Sequence, residues 1–307
     1  MATDNKEHQS TEREPRADML VRGTAMGGQV RVFAVRTTHL VDELQKRHQS
    51  YPTATAALGR TVTAAAMMGA MLKGEEKLTV QVKGDGPIGQ IIADANAHGE
   101  VRGCVTHPQV HLASNNEGKL DVAGAVGREG FIHVTKDLGM KEPYHGSSPI
   151  ISGELGEDFT YYFALSEQTP SAVGLGVLVD VDSSVIHAGG FIIQLLPGLT
   201  DDQITKIEQS LSNLPPITAL LDQGLELEEL LDWIVEDVQV MEHLPIVFRC
   251  QCSKERVEQT LISLGEGELQ AMIEEDGKAE VVCHFCNETY AFDREQLQSL
   301  IDQMNDK

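Results

Sequence analysis

The chain has 307 residues and 41% hydrophobic content, enough to pack one large domain and a smaller one. Acids outnumber bases 47 to 24, and residues 200–307 alone hold 24 acids against 7 bases, so a phosphate backbone is repelled and nucleic acid is not an expected partner. No stretch reaches the roughly 20 apolar residues of a membrane span. The polar start MATDNKEHQSTEREPRAD lacks the apolar region of a secretory signal, which points to the cytoplasm, where cysteines stay reduced.

Residues 1–17 read as a disordered tail. From Met19 the pattern is that of strands: QVRVFAVR, then LTVQVKG, where Leu78, Val80 and Val82 alternate with polar residues. GQIIADANAHGEVRGCV, KLDVAGAVGREGFIHVTK and AVGLGVLVDV follow as further short apolar runs with glycine-containing turns, predicting mostly antiparallel sheet. Two helices interrupt it. TATAALGRTVTAAAMMGAML (53–72) is apolar nearly all round, the mark of a buried helix. EDFTYYFALSEQ (157–168) is stopped by Pro170. The fold class expected is therefore α+β, with a layered β/α/β core domain over residues 18–185 and a helix buried between its sheets.

Residues 186–243 read as a helical linker. Thr200 and Gln203 form a capping box for a helix with Ile204, Ile207, Leu211 and Leu214 along one face, ended by Pro215 and Pro216. ITALLD and LEELLDWIVED are too short to hold alone, so their leucines and Trp233 are expected to rest on neighbours. Residues 244–307 read as a small C-terminal four-cysteine domain: an extended IVFRCQCS, two helices, the strand–turn–strand AEVVCHFCNETYAF and a last helix from Asp293.

Cys250 and Cys252 (C-x-C) and Cys283 and Cys286 (C-x-x-C) are separated by residues 253–282. Four thiolates from two turns suit tetrahedral Zn²⁺, one ion per chain, and the residue after C-x-x-C, Asn287, tolerates the left-handed backbone such a turn needs. A four-sulfur shell leaves no position for water, so metal-assisted hydrolysis is not expected. Three uses stay open: a constitutive zinc-stapled binding module, a thiol–disulfide oxidoreductase and a redox switch. The acidity of residues 250–286 argues against a nucleic-acid ribbon, and the strand-like NETYAF argues against the helix N-terminus of a thioredoxin-type site. Cys104 reads as a small core residue. Gly84, Gly86 and Gly89 spell G-x-G-x-x-G, but Pro87 and a strand follow, so the motif reads as a hairpin turn rather than a dinucleotide loop. No P-loop, H-E-x-x-H or G-x-S-x-G is present, and the chain does not read as an enzyme.

VKGDGP (82–87), YYFALSEQTP (161–170), AGGFIIQLLPG (188–198) and the C-x-C…C-x-x-C pattern together resemble the heat-shock protein 33 family of redox-regulated chaperones. The likeness spans nearly the whole chain after the tail. It implies a cytoplasmic, ATP-independent holdase that is zinc-bound and inactive when reduced. On oxidation it implies zinc loss, disulfides Cys250–Cys252 and Cys283–Cys286, partial unfolding, and binding of unfolding client proteins by a homodimer. Losing zinc would then unfold residues 244–302, deprive the linker helices of support and expose Ile204, Ile207, Leu211, Leu214 and Trp233 as client-binding candidates. Two residues of extended chain span about 6.6 Å, long for a bridged pair, so Cys250–Cys252 is expected to close after Cys283–Cys286.

Overall fold

Two sheets enclose a helix built almost wholly of small and apolar residues. In this computed structural model residues 16–115 and 118–305 are described. The first sheet holds β1 (Met19–Ala25), β2 (Val30–Arg36), β8 (Ser171–Val179), β9 (Val185–Leu195) and β10 (Gln239–Pro245), in the order β10-β1-β2-β9-β8. The second holds β3 (Lys77–Lys83), β4 (Gln90–Asn96), β5 (Glu100–Val105), β6 (Phe131–Asp137), β7 (Tyr144–Pro149) and β11 (Val247–Phe248), in the order β11-β5-β4-β3-β6-β7. Neighbours are antiparallel except for the short parallel pair β11–β5.

Helix α2 (Pro52–Gly69) lies between the sheets, with Ala54, Ala57, Val62, Ala65 and Met67 fully buried. Pro52 suits its first turn, and its many small residues let both sheets approach. Gly103 shows how tight the fit is: a Cβ there would stand 2.5 Å from Val62. Arg60, the one charge in α2, is spared an unpaired burial by Glu154 at 2.6 Å. The layered β/α/β architecture and the buried helix expected from the sequence are both present.

A second core forms on the outer face of the first sheet. Val21, Val30, Val32, Ala34, Phe191 and Ile193 face α5 (Asp201–Ser212), α6 (Ile217–Asp222) and α7 (Leu227–Ile234). This explains why β2 reads VRVFAVR with few polar positions: both of its faces are covered. The third core, Leu261, Leu269, Ile273, Phe292, Leu297, Leu300 and Ile301, holds α8 (Lys254–Leu264), α9 (Glu266–Glu275), the hairpin β12–β13 (Lys278–Val282, Thr289–Asp293) and α10 (Arg294–Asn305) together.

Several expectations need correction. The segment after Leu120, read as strand, contains the short helix α3 (Val122–Val126), because Asp121 caps it at Gly124 N (2.8 Å). Helix α1 (Thr38–His48) lies in a stretch not read as helix, although Leu40, Val41, Leu44 and His48 mark its buried face, whereas the helix read over 157–168 is α4 (Gly156–Leu165). Residues 186–195, assigned to the linker, belong to β9, an interior strand of the first sheet between β2 and β8, and residues 239–245 are its edge strand β10. The C-terminal boundary at 244 likewise falls inside β10, and β11 still belongs to the second sheet. The linker proper is the helical stretch between β9 and β10. Of the tail, residues 1–15 lie outside the described residues, whereas Arg16 pairs with Glu226 at 2.7 Å and donates to Gly224 O at 3.1 Å.

The GDGPIG segment is the β3–β4 turn. Asp85 Oδ1 accepts from the backbone of Arg128 and Glu129 (2.9 and 3.1 Å), and a Cβ on Gly86 would meet Ala125 O at 2.2 Å. Gly84 and Gly86 serve close packing against the end of α3, and Gly89 takes a positive φ beside Thr106.

Candidate metal centre

The four cysteines come from two turns that tertiary structure brings face to face. Cys250 and Cys252 follow β11, where the chain has left the strand, and Ser253 then caps α8 by accepting from Arg256 N at 3.3 Å. Cys283 and Cys286 sit in the turn between β12 and β13. There Asn287 N donates to Cys283 O at 2.8 Å and Cys283 N to Glu288 O at 2.9 Å, with Asn287 at φ 55°. The left-handed residue expected from the sequence is therefore in place.

The sulfurs converge. Cys250 Sγ is 3.4 Å from Cys252 Sγ and 3.7 Å from Cys283 Sγ, Cys252 Sγ is 3.2 Å from Cys286 Sγ, and all four lie within 4.8 Å of one another. A tetrahedral ion with metal–sulfur bonds of about 2.3 Å requires sulfur–sulfur edges of about 3.8 Å. The donor set and its dimensions fit a metal ion.

The same distances undo the premise that ranked the two pairs. Cys250 and Cys252 are not on an extended strand, and their sulfurs are already close, so the spacing alone does not make their bridge the slower to form.

As free thiols, Cys250 shifts opposite to Cys252 and Cys286. Burial opposes ionisation of Cys250, but hydrogen bonds from the Cys252 backbone and from its three thiol neighbours outweigh it and bring Cys250 down to about 7. Burial leads the causes that raise Cys252 and Cys286. Tyr290 Oη donates to Cys252 Sγ at 3.2 Å. Cys104 is not a core residue: it lies half-buried on the outer face of β5, and burial followed by Asp94 pushes it up to about 11.

The turn of Cys283 and Cys286 is docked on the large domain. His48 Nε2 stands 3.1 Å from Gly103 O and 3.2 Å from Phe285 O. Arg47 Nη1 donates to Cys286 O (3.2 Å), and Asn287 Nδ2 donates to Arg47 O (2.7 Å). Arg102 lies 4.0 Å over the Phe285 ring and reaches Cys250 Sγ at 3.9 Å. Burial lowers the pKa of His48, partly offset by its carbonyl neighbours. None of Arg47, His48 and Arg102 was singled out from the sequence, since each is distant in the chain from the cysteines.

The profile of the family described as Hsp33 protein matches residues 18–293. The chain belongs to the Hsp33 family. Among the relatives, the 33 kDa chaperonin of Brevibacillus brevis is 55% identical over 94% of this chain and 99% of its own length. That of Bacillus subtilis is 56% identical over 93% and 99%. The crystal structure of the 33 kDa chaperonin of Thermotoga maritima matches with a TM-score of 0.90 at 39% identity, covering 95% of this chain and all of that one. As an Hsp33 family member the chain is a chaperone, and its expected partners are client proteins. Among the described residues no helix is long and apolar enough to cross a membrane.

The remaining candidate residues lie elsewhere. Ile207 is buried against the first sheet, Leu211 and Leu214 pack at the margin of the same core, and Ile204 is half-buried. Trp233, expected to rest on a neighbour, is 53% exposed beside α5. The linker helices rest on the first sheet, whereas the cysteine unit meets the large domain at α1, β5 and β11. The support postulated for those helices from the sequence is thus the sheet, and the chain runs from them to the cysteine unit through β10 and β11.

Proposed function

We propose that the chain is a redox-regulated, ATP-independent holdase of the cytoplasm whose reduced form binds one Zn²⁺ through Cys250, Cys252, Cys283 and Cys286 and is inactive. The observation that carries this reading is the convergence of four sulfurs from two turns at near-tetrahedral spacing. When bound, zinc keeps the four cysteines as thiolates and supplies folding energy to the small domain around them. Each disulfide, Cys250–Cys252 and Cys283–Cys286, forms as one hydrogen peroxide takes two electrons from a thiolate pair and, with two protons, leaves as two waters. The cysteines then no longer hold the metal.

The third core is small, so residues 250–305 loosen once their thiolates are consumed. The effect reaches the linker through the two strands that join them. β11 makes only a two-residue pairing with β5, and β10 is an edge strand paired to β1 alone. From β10, His243 Nε2 pairs with Glu228 of α7 at 2.6 Å. Losing β10 would free α5–α7 and uncover two apolar faces at once: Ile207, Leu211 and Leu214 on the helices, and Val21, Val32, Phe191 and Ile193 on the sheet. Such a surface suits a non-native client. The acidic charge of residues 200–307 would keep the opened form, a homodimer in this reading, in solution.

The test follows zinc release and suppression of an unfolding protein's aggregation while peroxide is added with mild heat. Both should rise together and reverse with dithiothreitol. Zinc retained under peroxide would favour a constitutive zinc-stapled module and overturn the switch.

A further inference from the structure

The C-x-x-C turn is held against the large domain by three side chains with no place in the metal shell, and their arrangement bridges both halves of the site. Arg102 is central. Its Nε and Nη2 bond Asp94 Oδ2 on β4 at 2.8 and 2.7 Å, which holds the guanidinium along one edge. One face of its plane covers Phe285 at 4.0 Å, while Nη1 reaches Cys250 Sγ at 3.9 Å. One rigid group therefore touches the C-x-C segment and the C-x-x-C turn together. Lysine lacks the flat fork needed to make both contacts.

The last turn of α1 completes the grip. His48 joins Phe285 O to Gly103 O of β5, Arg47 holds Cys286 O, and Asn287 returns a hydrogen bond to Arg47 O. Arg47 also lies 4.7 Å over the ring of Phe248 in β11. The contacts thus converge on the strand that connects the cysteine unit to β10 and the linker.

We propose that Arg102, Arg47 and His48 form a clamp that sets how readily the cysteine site opens and that couples its opening to the release of β11. The inference rests on the proposed switch but concerns the docking that governs it. While the clamp is closed, Phe285 and Cys250 are held on one surface, so the two cysteine pairs separate only as the turn leaves β5 and α1. Detachment takes Cys286 O and Asn287 away from Arg47, the side chain stacked on Phe248, so β11 is held by its two-residue pairing and by the packing of Ile246 and Phe248 on the large core.

The experiment compares the full-length reduced protein with Arg102→Met, Arg102→Lys and Asn287→Gly. The last keeps the left-handed backbone while deleting the bond to Arg47 O, and it serves if Arg102→Met fails to fold. Zinc transfer to a chromophoric chelator should be about tenfold faster in Arg102→Met, matching one cation–π contact and one charged hydrogen bond, and only partly restored in Arg102→Lys. Amide exchange in the reduced protein as isolated, without chelator, should accelerate in the variants at residues 247–249 and 283–287 and stay unchanged in β2, β3 and α2. Equal exchange and zinc-transfer rates in variants and parent would overturn the clamp, as would acceleration spread evenly over both sheets. A parent that takes up no zinc would sink the zinc switch instead, and the exchange comparison between that reduced parent and the variants would still decide whether the clamp exists.

Discussion

At the residue scale, Cys250 and Cys286 are chemically unequal before any metal is present. Cys250 is drawn down to about 7 by its neighbours' hydrogen bonds, while Cys286, the most buried, is pushed up. Nucleophilic attack needs the thiolate, so a lowered pKa moves reactivity to lower pH. Immediately after chelation, before the cysteine unit loosens, iodoacetamide should therefore modify Cys250 ahead of Cys286, with the Cys250 rate half-maximal near pH 7 rather than near the ordinary thiol value of about 8.5. Peptide mass mapping across pH checks this, and uniform modification of all four would contradict the arrangement. The ligand set itself was legible because C-x-C and C-x-x-C are local patterns, and so was Asn287, whose positive φ answers a local turn. Arg102 and His48 were not legible, because nothing in their own neighbourhood in the chain marks a partner some 150 to 240 residues away.

At the scale of elements, legibility followed the strength of the periodic signal. The all-apolar α2 and the capping box of α5 were readable, Thr200 and Gln203 making the reciprocal bonds expected of them. Helix α1 was missed because its apolar face is narrow and sits between charged residues, and α3 because five residues leave no period to detect. The linker helices gave their apolar positions correctly but not their partner. Leu231 is fully buried under the first sheet, far from the cysteines in chemistry though linked to them through β10. Leu231→Ala should weaken helix docking by about 3 kcal/mol. The reduced variant should bind an apolar fluorescent dye and suppress client aggregation without oxidant, with its zinc content unchanged. A variant that stays silent until peroxide is added would show that docking of α7 does not limit exposure.

At the scale of the whole molecule there are three cores of unequal size: two share the first sheet, and the third is connected to them through β11 and β10. The core around α2 is the largest, and the one around the cysteine turns holds few large side chains. Since metal binding in so small a unit is largely folding energy, removing metal with a chelator should unfold it before the rest. Amide exchange should rise first over residues 250–305, then over 239–248, then over the linker helices, with β2, β3 and α2 protected throughout. A single cooperative loss of protection over the entire chain would contradict this order.

Sequence alone determined the secondary-structure class, the buried helix, the four cysteines and the family resemblance, because each is written in short spacings that chain-local physics enforces. Tertiary structure alone decided what those parts do to one another. It set the linker helices on the first sheet rather than on the cysteine unit, made residues 186–195 part of an interior strand, and placed Arg47, His48 and Arg102 around the cysteine turn. Such pairings arise where surfaces distant along the chain meet, and their energy comes from mutual burial, which no local pattern in either partner records.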